Sequence, residues 1–338
     1  MSATLLLKRL DRRKGLIYLA KRYVRIWREF KENSHAVVLA LVALPTMALL
    51  VNFTIANLGG VINLWWQAFE GTDKPSIALG DYHLMGEPVI LSGISHNASG
   101  LTFNHDTHSL FAITNNPTNI VEMTTSGVQL RVIPLLGFDD TEGITYLGDD
   151  RFALVEEEHR GVVLVNIHET TDYLLRSSGE SLAFSVTSTK NKGFEGIAFD
   201  AVEQSLFVVN EKKPRAIYRL EGVVSDHING VSIQSPWSME DNSLFKRDLS
   251  GLHFLSDLGT LLVLSDDSKS LTETSREGER ISTLSLRQGS AGLAAAIPQP
   301  EGVTVDDKGH LYVLSEPNLF YRFAPRFPSS ASPDLAVN

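Results

Sequence analysis

One pattern recurs five times along the chain, and it limits the fold more than any other feature. The stretches read "SGLTFNHDTHSLFAITN", "EGITYLGDDRFALVE", "EGIAFDAVEQSLFVVNE", "SGLHFLSDLGTLLVLSD" and "EGVTVDDKGHLYVLSE". Each begins with Ser or Glu and a glycine, then runs through an apolar strand, a polar turn and a second apolar strand. The glycines are Gly100, Gly143, Gly196, Gly251 and Gly302, spaced by 43, 53, 55 and 51 residues. The runs are short, alternate with period two and are broken by Asp, Asn and Gly, which is hairpin chemistry. Further strand-like runs follow each pair, such as "NIVEM" and "LRVIPL". Four strands in a unit of this length mark a β-propeller blade.

The expected fold is therefore all-β, a propeller of five blades with four strands each. Six blades remain the alternative if residues 81–98 build more than one strand. The last copy supplies three strands before a Pro/Ser-rich tail. The segment "DYHLMG…VILSG" (81–93), ahead of the first copy, is expected to supply the fourth. Such closure joins the two ends of the ring and removes an open sheet edge.

In a blade the first strand lies nearest the axis and the second pairs antiparallel beside it. The start of one and the end of the other then meet at one mouth of the ring. The first-strand position holds Ser99, Glu142, Glu195, Ser250 and Glu301. The second-strand position, aligned by the preceding apolar run, holds Asn115, Glu156, Glu211, Asp266 and Glu316. Seven of these ten are acids. Two readings stand: the acids accept backbone N–H groups at strand ends, or they gather round a cation. Crowded carboxylates either take up protons or recruit a positive ion. Hard oxygen donors, with no cysteine and no convincing histidine spacing, favour Ca²⁺ or Mg²⁺. The expected metal set is Glu142, Glu195, Glu301, Glu156, Glu211, Asp266, Glu316 and Asn115, with Ca²⁺ as the expected ion.

The run "ASGLTFNHDTHSLFAITNNP", with "DTEGITYLGDDRFALVEE", "GFEGIAFD", "LSGLHF" and "SEPNLFYRF", resembles the SdiA-regulated family over roughly residues 80–325. The resemblance implies a membrane-tethered propeller at the bacterial cell envelope. It implies no activity and carries over no catalytic residues.

The rest of the chain agrees with a tether. From Asn33 to Phe69 there is no Asp, Glu, Lys or Arg, and Ala36 to Leu58 is the most apolar part. About 20 residues of helix span a hydrocarbon core. Residues 35–66 are thus expected to form an uncleaved transmembrane anchor in the lipid bilayer, with Trp65 and Trp66 at the far interface. Residues 1–34 hold ten Lys/Arg against three Asp/Glu, about +7, whereas the whole chain carries -10 and the remainder therefore -17. A basic flank stays cytoplasmic. The expectation is a single-pass inner-membrane protein with a cytoplasmic amino terminus (1–34), a linker (67–79), a periplasmic propeller (80–325) and a C-terminal tail (326–338).

Several chemistries are disfavoured. The acidic body argues against nucleic-acid binding, which needs clustered Lys/Arg. No cysteine is present, which removes thiolate nucleophiles and Cys-based metal sites. There is no GxSxG, GxGxxG, P-loop or HExxH pattern. His105 and His108 fall in a turn at the end opposite the acids. The catalytic residues are unknown. The leading expectation is a binding or sensing module for a small molecule or an envelope protein. The alternative is a Ca²⁺-dependent hydrolase of lactone, ester or phosphoester type, with Asn115, Asn116 and Asn210 as amide partners of the carboxylates.

Overall fold

A computed structural model describes residues 21–25, 28, 75–159, 161–183, 194–210, 215–224, 230–238 and 248–326. The expected anchor at 35–66 and the acid Glu211 lie outside the described residues. Among the described residues no helix is long and apolar enough to cross a membrane.

Two short strands come first, β1 (Tyr82–Leu84) and β2 (Val89–Ile90). Blade 1 follows as β3 (Ala98–Asn104), β4 (Ser109–Asn115), β5 (Thr118–Met123) and β6 (Gln129–Leu136). Blade 2 is β7 (Thr141–Gly148), β8 (Arg151–Glu156), β9 (Gly161–Asn166) and, after a two-residue excursion β10 (Leu174–Leu175), β11 (Glu180–Ala183). Blade 3 comprises β12 (Phe194–Asp200), β13 (Ser205–Asn210), β14 (Ala216–Glu221) and β15 (Ser232–Ser238). Blade 4 comprises β16 (Gly251–Leu255), β17 (Thr260–Ser265), β18 (Ser270–Ser275) and β19 (Arg280–Ser285). Blade 5 has β20 (Gln299–Val305), β21 (Leu311–Glu316) and β22 (Leu319–Pro325), and its fourth strand is β1. The protein is a five-bladed β-propeller. Ring closure runs through Tyr82↔Pro325, His83↔Ala324 and Leu84↔Phe323, so the 81–93 segment does complete the last blade.

The polar turns of the motif are explained by side chains that cap backbone. Asn104 Oδ1 accepts the N–H groups of Asp106 (2.9 Å) and Thr107 (3.2 Å). Asp200 Oδ1 does the same for Val202 and Glu203, and Asp306 Oδ1 for Lys308 and His310. A short side chain that satisfies the next residues' N–H groups turns the chain without buried orphans. The apolar residues between these turns pack blade on blade. Phe111, Ile113 and Ile120 of blade 1, for example, meet Ile144, Phe152 and Leu154 of blade 2, all nearly inaccessible to solvent.

The motif glycines have a different cause. A Cβ on Gly100 would lie 2.9 Å from Gly143 Cα, one on Gly143 3.1 Å from Ile197 N, and one on Gly196 3.2 Å from Gly251 Cα. On Gly251 it would meet Glu301 O at 2.5 Å, and on Gly302 it would meet Leu101 N at 2.9 Å. Each glycine touches the next blade, and the fifth touches the first. The five inner strands thus approach backbone to backbone in a collar that excludes side chains. Beyond the collar the strands bond across blades: Tyr146 N donates to Thr102 Oγ1 and Phe103 N to Thr304 Oγ1, both at 3.1 Å.

Candidate functional site at the acidic mouth

In blades 2, 3 and 5 the residue ahead of the collar glycine sits at a register break. Thr141 pairs with Glu156 and Gly143 with Val155, which leaves Glu142 as an extra residue on β7. The same slip isolates Glu195 on β12, between Phe194↔Asn210 and Gly196↔Val209. It isolates Glu301 on β20, between Pro300↔Ser315 and Gly302↔Leu314. A bulge puts two residues opposite one and re-aims a side chain out of the alternating pattern. Here it turns three glutamates toward the axis.

They face a cavity of about 340 Å³, and they also line a separate space of about 10 Å³ beside the collar glycines. The walls of the cavity hold Glu142, Glu157, Glu195, Asp266, Glu301 and Glu316, with Asp248, Asp267, Asn115, Gln299 and Ser250 completing the lining. No Lys or Arg lines it among the described residues. Lys269 contacts Asp266 and the Pro298 carbonyl from beside the cavity. Asp248 has a local task, since it accepts Ser265 Oγ at 2.7 Å and the N–H groups of Asp266 (3.0 Å) and Asp267 (2.8 Å).

Of the sequence-derived set, Glu142, Glu195, Glu301, Asp266, Glu316 and Asn115 come together here. Glu156 does not. It is fully buried and accepts both bonds of the Arg176 Nε–H (3.0 and 2.9 Å) and the N–H of Asp139 (3.3 Å). The correction is a register slip of one residue. Gly143↔Val155, Gly251↔Leu264 and Gly302↔Leu314 put the mouth position two residues after the partner of the glycine. That position is Glu157 in blade 2, Asp266 in blade 4 and Glu316 in blade 5. A shift of one moves a strand residue to the opposite face. Within "VEEEH" the apolar run does not say which glutamate turns inward; pairing does.

Asp140 was also missed. It lies two residues before Glu142, with a positive φ of 51°. Oxygens of Asp140, Glu142 and Glu157 lie within 4.8 Å of one another, and this acidic cluster has the composition and spacing to hold a metal ion. Asn115 borders it. Its Nδ2 donates to Glu142 Oε1 at 2.8 Å, while its buried Oδ1 has no hydrogen-bond partner.

The electrostatics of Glu301, Glu142 and Glu316 follow chiefly from burial. Burial, reinforced by Glu316, Asp266 and Glu142, pushes the Glu301 carboxyl up to about 9 against the opposing bond from Gln299. Burial also raises Glu142 to about 7; the Asn115 amide and the Ser99 hydroxyl oppose the rise, and Asp140 and Glu157 add to it. Glu316 is raised as well, again mainly by burial. Glu142, Glu301 and Glu316 are thus all shifted toward the protonated form.

Residues 74–324 match the SdiA-regulated family. Among solved structures, the chain is similar to a structural genomics protein of unknown function from Bacteroides thetaiotaomicron VPI-5482, at 15% identity and a TM-score of 0.44, covering 69% of this chain and 56% of that one. It is similar to a luciferin-regenerating enzyme at 11% identity and a TM-score of 0.46, covering 70% and 95%. An auxiliary nutrient binding protein from the same Bacteroides strain matches at 12% identity and a TM-score of 0.46, covering 70% and 60%. The chain thus spans less than two thirds of both Bacteroides proteins. The family match takes in every blade and the closing strand, and the chain belongs to the SdiA-regulated family.

Proposed function

We propose that this protein is a binding or sensing module whose acidic mouth takes Ca²⁺ and recognises its ligand there. The observation that carries the reading is the orphaned Asn115 Oδ1 beside the Asp140–Glu142–Glu157 cluster. A buried amide oxygen without a donor costs on the order of 1–3 kcal/mol. Asn115 has committed its N–H₂ to Glu142, so the oxygen is left for a cation. One amide and three carboxylates are hard donors of the kind calcium takes in a 6–8-oxygen shell completed by water. Glu195, Glu301 and Glu316 would then border the ion on the axial side. The full chain should melt at a higher temperature with Ca²⁺ than with chelator, by an amount that grows with concentration. The shift should vanish in Glu142→Gln. An unchanged melting temperature with Ca²⁺, Mg²⁺ and chelator would return these acids to a structural role.

A second reading rests on Glu301. Its carboxyl keeps a proton at neutral pH and shares the cavity with the cluster. A metal-polarised lactone, ester or phosphoester bound there would have a proton donor for its leaving group. Ca²⁺-dependent turnover of such substrates, lost in Glu301→Gln while metal binding persists, would support hydrolysis. Turnover absent with every substrate class leaves the binding reading.

The module is proposed to hang from the bacterial inner membrane through residues 35–66, with its amino terminus in the cytoplasm. The charge-free run and the basic flank support this. Protease added outside spheroplasts should digest the propeller and spare an amino-terminal tag; a propeller protected until lysis would reverse the orientation.

A further inference from the structure

Blades 1 and 4 carry a buried glutamate at the same place on the third strand, and they satisfy it differently. In blade 1, Glu122 accepts Ser109 Oγ (2.7 Å) and Arg131 Nε (2.5 Å). Arg131 is its registered neighbour on β6. The same guanidinium reaches the carbonyls of His168, Glu169 and Thr171, and so holds the blade 2 excursion against blade 1. In blade 4, Glu273 accepts Thr260 Oγ1 (3.1 Å), the counterpart of Ser109. Its registered neighbour on β19 is Ser282, which donates at 2.7 Å. No cation pairs with Glu273 among the described residues, although it is wholly inaccessible.

The missing donors come from elsewhere in the chain. Ser76 Oγ donates to Glu273 Oε2 at 2.5 Å and Ile77 N to Oε1 at 3.2 Å. Leu79 N donates to Ser282 Oγ at 3.0 Å, and the Leu79 side chain is buried in the core shared by blades 4 and 5. Three residues later the same segment becomes β1 and closes blade 5. A buried carboxylate is tolerated only when hydrogen bonds replace its lost hydration. Half of the four bonds to Glu273 depend on residues some 200 positions away in sequence.

We propose that residues 76–84 are a strap, that Glu273 and Ser282 are its receptor, and that the ring is closed by docking this strap. The recognised chemistry is a Ser–Ile backbone and hydroxyl pair presented to a carboxylate, followed by strand addition to β22.

The test keeps the full chain and inserts a protease site between the exposed Ser95 and His96. After cleavage of the folded protein, the amino-terminal piece should stay with the ring on size exclusion and leave slowly on dilution. Ser76→Ala, which removes one donor and leaves the blades untouched, should speed its release about tenfold, as expected for one bond to a charged acceptor. Ser282→Arg should release it faster still, because it gives Glu273 the cation that blade 1 has. Immediate loss of the piece from the parent protein overturns the proposal. So does a release rate that is the same in the parent and in both variants.

Discussion

Polar side chains sit at the strand ends of both mouths of the ring, yet they are used in opposite ways. At the turns between first and second strands, Asn104, Asp200 and Asp306 each accept backbone N–H groups of the following residues. Burial pushes Asp306 up, but the Tyr312 hydroxyl and the backbone and ring of His310 outweigh it and hold the carboxyl below its ordinary value. At the other mouth, bulges turn Glu142, Glu195 and Glu301 away from the strand ladder, and burial raises Glu142 and Glu301. Asp306, whose partners are built in, is shifted toward the ionised form. Glu142 and Glu301, with other acids among their neighbours, are shifted toward the protonated form.

The glycine collar stands between the two mouths, and breaking it should give the largest effect. Gly251→Val places a branched side chain where even a Cβ meets Glu301 O at 2.5 Å. The expected loss is about 3 kcal/mol or more by chemical unfolding, from overpacking against backbone that cannot move aside. A near-neutral change would mean that the inner strands slide apart freely.

Glu301→Gln comes next. The folded ring holds the Glu301 proton up to about pH 9, and the unfolded chain releases it near the ordinary carboxyl value of 4.5. The folded state therefore binds the extra proton between these limits. This contribution is fully present at low pH and is lost as pH rises, by up to about 1.4 kcal/mol per unit. Melting temperature measured in chelator should fall from pH 5 to 9 in the parent, and Glu301→Gln should flatten the fall. A parallel decline in both proteins would assign it to other groups.

The smallest effect is expected at the opposite mouth and has the opposite sign. The depressed Asp306 carboxyl contributes stability above its unfolded value and loses it as pH falls through its folded value. Asp306→Asn should cost about 2 kcal/mol at neutral pH, the size of one hydrogen bond to a charged group. The cost should shrink toward acid. If it instead persisted at low pH, the bond to Tyr312 at 2.8 Å would matter as shape rather than charge.

Much of this was legible from residue order. Hairpins, blade count and closing strand follow from alternation, turn residues and the incomplete last copy, because each is a short-range pattern repeated five times. The position of the acidic mouth was legible for the same reason. The member from blade 2 was not. "VEEEH" offers three adjacent glutamates, and only the pairing Thr141↔Glu156 turns Glu157 inward and sends Glu156 to Arg176. The glycines were visible as a motif, but their cause lay in the neighbouring blade.

By itself the sequence determined a ring of five four-stranded units with one acidic end, since period-two alternation and recurring turns act within a few residues. Tertiary structure decided what each acid is for. Glu156 and Glu157 are adjacent in the chain, yet one is neutralised by a guanidinium and the other lines a cavity. Glu122 and Glu273 occupy equivalent strand positions, yet one binds its own blade's arginine and the other binds a strap from the start of the fold. Charge is local to a residue, but the energy of a charge depends on what is packed around it, and those neighbours come from distant parts of the chain.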